Sequence, residues 1–154
     1  MFNSISSDVA KAVIAVYLYD LSLKGYGKKR IQKTFDYIIP FIPPSNNQFI
    51  GKNQRFGYQK AKKEWADIIR LYTLKNKPYK PIKQCKLTLF YYFKDKTRRD
   101  PDNYSGKFIL DGLVRAGIIF DDSFFNINLI LKAAVDKSNP RLHIIIDSEA
   151  YVND

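Results

Sequence analysis

Only one cysteine, Cys85, and one histidine, His143, occur in the chain, and this scarcity constrains both its fold and its chemistry. A single cysteine allows no disulfide within the chain, and a structural zinc site needs about four cysteine or histidine ligands. The fold therefore has neither an internal disulfide nor a structural zinc site to stabilise it. His143 lies in an alternating pattern, which favours a half-buried strand residue over a member of a Ser-His-Asp triad. Any catalysis has to come from carboxylate, lysine, arginine and hydroxyl groups.

Chain length and apolar content indicate one soluble domain. The chain has 154 residues, of which 45% are hydrophobic, and this is enough for a single core. The longest uncharged apolar run covers residues 12–19, whereas a membrane-spanning helix needs about twenty residues. No small-residue cleavage site follows that run, so a signal peptide is not indicated. We expect a cytoplasmic protein that does not contact a membrane.

Hydrophobic periodicity predicts helices and strands in the order α-β-α-β-α-β-β. The helices are predicted over residues 7–23, 56–75 and 103–116. The strands are predicted over residues 37–42, 83–93, 126–135 and 142–147. Gly117 would close the third helix, and Pro40 makes the first strand an edge strand or marks its end. The predicted fold class is α/β (α+β), with a small mixed or antiparallel four-stranded sheet, helices packed on it, and an N-terminal helix.

The charge along the chain changes sign abruptly at Asp100. Residues 52–99 carry fifteen basic and three acidic residues, whereas residues 100–154 carry five basic and nine acidic residues. The net charge of +11 points to a polyanionic partner, above all nucleic acid. Phosphate contacts are predicted for Lys60, Lys62, Lys63, Arg98 and Arg99. The abrupt switch is typical of a metal site next to a polyanion site.

Two aspartates, Asp100 and Asp102, flank Pro101, and Asp121-Asp122 follows the third predicted helix. A residue before proline avoids the helical conformation, so we expect an extended segment that places the first two carboxylates on one face. If the chain folds back after the helix, a third carboxylate from the later pair reaches them. Oxygen-only ligands select Mg²⁺ or Mn²⁺, and such an ion beside basic side chains is suited to phosphodiester hydrolysis.

Lys107 and Asp111 lie on the helix between these acidic groups. Lys107 would stabilise the charge that develops on the phosphate, and Asp111 is expected to be structural, pairing with Arg115 four residues further on. Turn and N-cap chemistry alone also explains an Asp-Pro-Asp-Asn run, and Asp-Asp-Ser is a common loop composition. The basic block that leads directly into these residues favours the metal site over both alternatives.

At these residues the chain resembles the RusA family of Holliday junction resolvases. The matching residues are Pro43-Pro44-Ser45-Asn46-Asn47, Arg99-Asp100-Pro101-Asp102-Asn103, Lys107, Asp111 and Asp121-Asp122-Ser123, within about residues 37–148. The resemblance implies a dimeric, Mg²⁺-dependent endonuclease with an α/β fold. Its catalytic residues would be Asp100, Asp102, Lys107 and Asp122, of which the three aspartates would hold the metal. Three residues separate Asn103 from Lys107, where family members commonly have two.

The resulting prediction is an endodeoxyribonuclease that resolves four-way and other branched DNA by paired nicks. Arg98, Arg99 and Asn103 would contact the DNA beside the metal, and a homodimer would place two sites across the junction. Residues 37–148 would form the nuclease domain, residues 1–36 a helical extension that contributes to the dimer, and residues 149–154 a tail. The alternatives are a non-catalytic basic protein that binds single-stranded or branched nucleic acid and another Mg²⁺ nuclease that acts on flaps or RNA. Such a binder gains nothing from aspartates beside phosphates, so the acidic cluster favours the nuclease.

Overall fold

The computed structural model describes residues 28–51 and 54–153, together with Lys11 and Ala15. The chain forms two compact units, one of residues 32–149 and one of residues 1–31 with 150–154. The helix predicted over residues 7–23 lies outside the described residues, apart from Lys11 and Ala15, which are helical. No helix in the described part of the chain combines the length and the apolar character needed to cross a membrane.

Four strands form one mixed sheet. They are β1 (Lys28–Ile39), β2 (Cys85–Phe93), β3 (Ile127–Val135) and β4 (Arg141–Asn153), in the spatial order β1-β4-β2-β3. Strand β2 pairs with β3 in parallel and with β4 in antiparallel orientation. The prediction of a small four-stranded sheet is confirmed, and the sheet is mixed.

Strand β1 lies at an edge of the sheet, as Pro40 predicted. It ends at Ile39, directly before Pro40, because proline has no N–H for the ladder, so the predicted extent to residue 42 is wrong. It begins at Lys28, far earlier than residue 37. The sequence did not predict the first half of this strand because it contains few apolar residues and many exposed polar ones, such as Lys33 and Asp36. Such a composition is usual for an edge strand. Strand β4 likewise runs to Asn153 rather than ending at residue 147.

Two helices, α1 (Arg55–Thr73) and α2 (Lys107–Arg115), pack with one face of the sheet around a single core. They touch at Gly112, where a Cβ atom would come within 2.8 Å of Ile69 Cγ1, so only glycine allows this approach. The alternating pattern of the strands supplies the opposite wall of the core. Its fully or nearly buried side chains are Phe35, Tyr37, Ile39, Leu87, Leu89, Tyr91, Leu142, Ile144 and Ile146.

Helix α2 is shorter than the predicted helix over residues 103–116. Residues Pro101–Tyr104 form a separate 3-10 turn, and Gly106, with a φ of 87°, breaks the chain between that turn and α2. Gly117 closes α2 as predicted: its φ is 67°, and the N–H of Ile118 donates to the carbonyl oxygen of Leu113 at 3.0 Å. The acidic motifs therefore lie before and after α2, in the connection between the parallel strands β2 and β3.

Candidate active site

Two separate motifs meet around Asp102. The side-chain amide of Asn46 donates to the carbonyl oxygen of Asp102 at 3.0 Å and to Ser105 Oγ at 3.1 Å. Asn46 opens a short 3-10 turn, Asn46–Phe49, which Ser45 caps by accepting a hydrogen bond from the N–H of Asn47. The Pro-Pro-Ser-Asn-Asn loop thus braces the turn that carries the aspartate. Analysis of the sequence assigned Asn46 no role, since a loop composition does not reveal which distant segment it contacts.

Asp100 and Asp102 lie on either side of Pro101 with their side chains accessible. Asp100 is extended, with φ −88° and ψ 138°, as expected of a residue before proline. The extended segment does not continue, because the N–H of Asn103 donates to the carbonyl oxygen of Asp100 at 3.1 Å and closes the turn. The expectation of simple strand alternation is therefore wrong here, since the fixed φ of Pro101 also suits the first residue of a helical turn.

The carboxylates of these two aspartates have few protein partners. Asp100 Oδ1 accepts a hydrogen bond from Arg98 Nε at 3.2 Å, and Asp102 Oδ1 accepts one from the N–H of Asn103 at 2.9 Å. No other hydrogen bond to either carboxylate occurs in the described residues. Mg²⁺ is usually held by one or two carboxylates, with waters and substrate phosphate completing its shell. Two accessible aspartates without nearby sulfur or imidazole ligands fit that ion and Mn²⁺.

The two arginines before Asp100 differ in how exposed their side chains are and in how many contacts hold them. Arg98 has 89% of its side chain exposed, whereas Arg99 is held by Asp95 Oδ1 at 2.9 Å and by the carbonyl oxygen of Thr97 at 2.9 Å. The guanidinium of Arg99 also lies 4.4 Å from the centre of the Phe93 ring. Hydrogen bonds from Thr97, and then from Arg99, lower the pKa of Asp95 to about 2. Asp95 therefore stays charged at neutral pH and fixes Arg99, a role that the sequence analysis missed.

Lys107 belongs to a group of three charged side chains between α1 and α2. Its Nζ lies 3.4 Å from Asp111 Oδ1, and Nζ of Lys62 lies 2.9 Å from Asp111 Oδ2. The second contact is an ion pair by distance, although its atoms are not aligned as a hydrogen bond. The predicted pairing of Asp111 with Arg115 is wrong, because the Asp111 side chain contacts Lys62 of α1. One carboxylate thus holds two ammonium groups.

The remaining predicted phosphate contacts are spread along α1. Lys60 pairs with Glu64 at 3.8 Å, and Lys63 is exposed. Asn103 and Lys107, by contrast, meet at one small cavity of about 10 Å³, which Asn46 and Tyr91 also line. The structure therefore brings Asn103 and Lys107 together beside the aspartate turn and Lys62 to Asp111, whereas Lys60 pairs within its own helix.

Asp121 and Asp122 lie at the other end of β2. The N–H of Phe120 donates to the carbonyl oxygen of Ile82 at 2.8 Å. The side-chain amide of Asn126 donates to the carbonyl oxygen of Lys83, also at 2.8 Å. The segment between them thus runs beside the residues that precede β2. Asp100 instead lines a pocket with Tyr91 and Phe93, near the end of β2.

The length of β2 separates the two acidic motifs within one chain. Cys85 to Tyr91 is six residues of strand, which is ~20 Å. Accordingly, nowhere in residues 28–51 and 54–153 do three acidic, histidine or cysteine side chains group to hold a metal ion. The fold-back expected from the sequence does not bring Asp122 to Asp100 and Asp102 inside a single chain.

The lone histidine and cysteine stand apart from this site. His143 is a partly buried residue of β4 whose Nε2 lies 2.6 Å from Asp36 Oδ1 of β1, which confirms the predicted strand role. Cys85 is buried at the start of β2. Burial, and secondarily the charge of Asp147, raises the pKa of its thiol to about 11, so it stays protonated and is no nucleophile at neutral pH.

The β2–β3 connection carries acidic, basic and amide side chains, which are the residue types that phosphodiester-cleaving enzymes use. Comparison with known families finds a match to the family described as Endodeoxyribonuclease RusA over residues 40–147. The chain belongs to the RusA family of endodeoxyribonucleases, which resolve Holliday junctions, so the predicted resemblance is confirmed. No curated protein matches the chain. Nucleases of this family are generally metal-dependent, and the family implies a branched DNA substrate.

Proposed function

We propose that this chain, as a homodimer in the cytoplasm, resolves four-way DNA junctions by paired nicks that depend on Mg²⁺ or Mn²⁺. The observation that carries this proposal is the turn braced by Asn46, which presents Asp100 and Asp102 accessibly beside the exposed Arg98. Bound there, Mg²⁺ would neutralise charge on the cleaved phosphate and activate the attacking water. Family membership favours this function over a non-catalytic nucleic-acid binder.

The side chains around the turn divide the remaining tasks. Arg98, exposed and next to Asp100, binds a backbone phosphate of the substrate. Lys107 stabilises the negative charge that grows on the phosphate during attack, as a positioned cation does in phosphoryl chemistry. Asn103, at the same small cavity as Lys107, hydrogen-bonds the DNA backbone. Lys60 and Lys63 add longer-range attraction along α1, which is sensitive to salt.

Asp122 completes the site from a second copy of the chain. This part of the proposal is supported by the ~20 Å of β2 between the two acidic motifs, which a side-chain rotation cannot span. In a symmetric dimer a surface patch of one copy meets a different patch of the other twice, so two equal composite sites form. Each site would then take Asp100 and Asp102 from one copy and Asp122 from the other. Dimerisation becomes a requirement for cleavage as well as for paired nicks.

Substrate selectivity tests the proposed function. A labelled four-way junction, a duplex and a single strand of the same sequence are incubated with the protein and Mg²⁺, and the products are separated by size. We expect nicks in two opposing strands of the junction, with products that ligase can reseal. Equal cleavage of all three substrates would indicate a general nuclease, and binding without cleavage of any substrate would favour the non-catalytic alternative.

Removal of the Asp111 charge should impair both the fold and the cleavage step. The Asp111→Asn substitution leaves Lys62 and Lys107 as neighbouring like charges, and only 17% of the Asp111 side chain is exposed to water. We expect about 1–2 kcal/mol less stability in thermal or urea unfolding, and cleavage ~10–100-fold slower with junction affinity retained. The matched control is Asp67→Asn, at an exposed position of α1. Unchanged cleavage in Asp111→Asn would show that this carboxylate does not position Lys107.

A further inference from the structure

A pocket of about 120 Å³ opens beside Asp100, between the aspartate turn and strand β3. We call it the Asp100 pocket. Its walls are mainly apolar, and Arg99 also lines it, with its guanidinium 4.4 Å from the centre of the Phe93 ring. The apolar and aromatic lining side chains are Tyr91, Phe93, Tyr104, Leu131 and Ala133. None of the roles described above uses this space, although one of its lining residues is a proposed metal ligand.

The pocket has the features of a binding site rather than of loose packing. Arg99 is already fixed at its edge by Asp95, so a ligand would not have to order that side chain. Tyr91, which lines the pocket, is only 2% exposed, and its hydroxyl has no hydrogen-bond partner in the described residues. An unpaired buried hydroxyl destabilises the fold, and a ligand that hydrogen-bonds to it removes that cost. Burial raises the pKa of Tyr91, so the hydroxyl stays protonated and can both donate and accept.

The lining selects one class of occupant. Apolar walls and the neighbouring carboxylate of Asp100 exclude a phosphate from the interior, whereas the cation of Arg99 favours a phosphate outside it. A nucleobase matches both features, because its faces are apolar, its edge carries hydrogen-bonding groups and its own backbone is anionic. Proteins that hold unstacked bases combine aromatic or apolar contacts with a cationic backbone path in this way.

We infer that the Asp100 pocket receives an unstacked nucleobase of the DNA strand being cut, at the nucleotide next to the cleaved phosphate, with the Tyr91 hydroxyl bonding its edge. The inference rests on the proposed function, since Asp100 as a metal ligand places the cleaved phosphate at the mouth of the pocket. Branched DNA provides such a base at low cost, because pairing and stacking are already weakened at the branch point. The pocket would then determine which base is tolerated beside the cut.

Fluorescent junctions test this directly. 2-Aminopurine, which brightens when it leaves the base stack, is placed in turn at each position around the cut, and the protein is added with Ca²⁺ in place of Mg²⁺. We expect one position to brighten several-fold with the unaltered protein. Ala133→Leu, which adds bulk to the exposed wall of the pocket, should abolish the brightening. Ala134→Leu, the next residue of β3 and on the opposite face, should not. Equal brightening in both variants, or none with the unaltered protein, would overturn the inference.

The Tyr91→Phe substitution separates base recognition from the fold. It removes the hydroxyl and keeps the ring, so we expect unchanged or higher melting temperature, because an unpaired buried group is lost. Cleavage is measured with Mg²⁺ on four junctions that differ only in the base next to the cut. The ratio of the fastest to the slowest cleavage rate should be about tenfold smaller for Tyr91→Phe than for the unaltered protein. An unchanged spread would overturn the role of the hydroxyl. If the unaltered protein cuts junctions and the pocket variants match it in brightening and base preference, only this inference fails. If the unaltered protein cuts no junction, the proposed function itself is refuted.

Discussion

The Asp100→Asn and Asp102→Asn variants should each lose junction cleavage while binding the junction as tightly as the unaltered protein or more tightly. Each substitution replaces a negatively charged carboxylate, the proposed metal ligand, by a neutral amide of nearly the same size. Both side chains are accessible and have few protein partners, so the fold should tolerate the change. Even outer-shell changes at metal sites cost ~10–100-fold, so loss of a direct ligand should exceed that range. Binding improves because a negative charge that faces phosphate is removed.

Single-turnover cleavage with enzyme in excess measures the first effect, and band-shift titration in Ca²⁺ measures the second. Asp67→Asn, an exposed position of α1, serves as the control for loss of one negative charge. If both active-site variants lose junction binding together with cleavage, and their melting temperatures are unchanged, the two aspartates serve binding and the assignment as metal ligands is wrong.

Removal of divalent metal should abolish cleavage as completely as these substitutions do. The described residues around Asp100 and Asp102 include no histidine or cysteine that could replace the ion in activating water. We expect no product in EDTA, full recovery on addition of Mg²⁺ and recovery with Mn²⁺, which takes the same oxygen ligands. Cleavage rates measured across a Mg²⁺ titration check this, with junction binding followed in parallel. Cleavage that persists in EDTA would exclude the metal-dependent mechanism.

The sheet and the helices were largely predictable because their signals are local. The alternation over Cys85–Phe93 predicts a strand, and one face of it is buried in the structure as that pattern requires. Strand β1 ends directly before Pro40, and helix α2 closes at Gly117. Both ends depend on the backbone properties of a single residue, which the sequence shows directly. The start of β1 was missed because a polar edge strand carries little apolar periodicity.

The residues of the candidate site stay a prediction, and the structure arranges them differently from what the sequence indicates. The Asp-Pro-Asp-Asn run indicates metal chemistry, yet the same run also suits a 3-10 turn, and the hydrogen bond from Asn103 to Asp100 decides for the turn. The partner of Asp111 was missed because an i,i+4 rule considers only one helix, whereas Lys62 lies on another. The remoteness of Asp122 follows from the parallel register of β2 and β3, which no local pattern contains.

A site built from both copies of the chain can be distinguished experimentally from a site that lies within one copy. Co-expressed chains with two different tags allow purification of a mixed dimer in which one copy carries Asp102→Asn and the other carries Asp122→Asn. If each site combines both copies, one site of this dimer contains both substitutions and the other contains neither. If each site lies within one copy, both sites are damaged.

The most direct measurement is therefore junction cleavage by that mixed dimer, compared with a second mixed dimer of one unaltered chain and one chain with both substitutions. We expect the first dimer to nick one strand of each junction and the second dimer to be inactive, because each site of the second dimer lacks one aspartate. An inactive first dimer together with an active second dimer would contradict the account and place Asp100, Asp102 and Asp122 in the same chain's site.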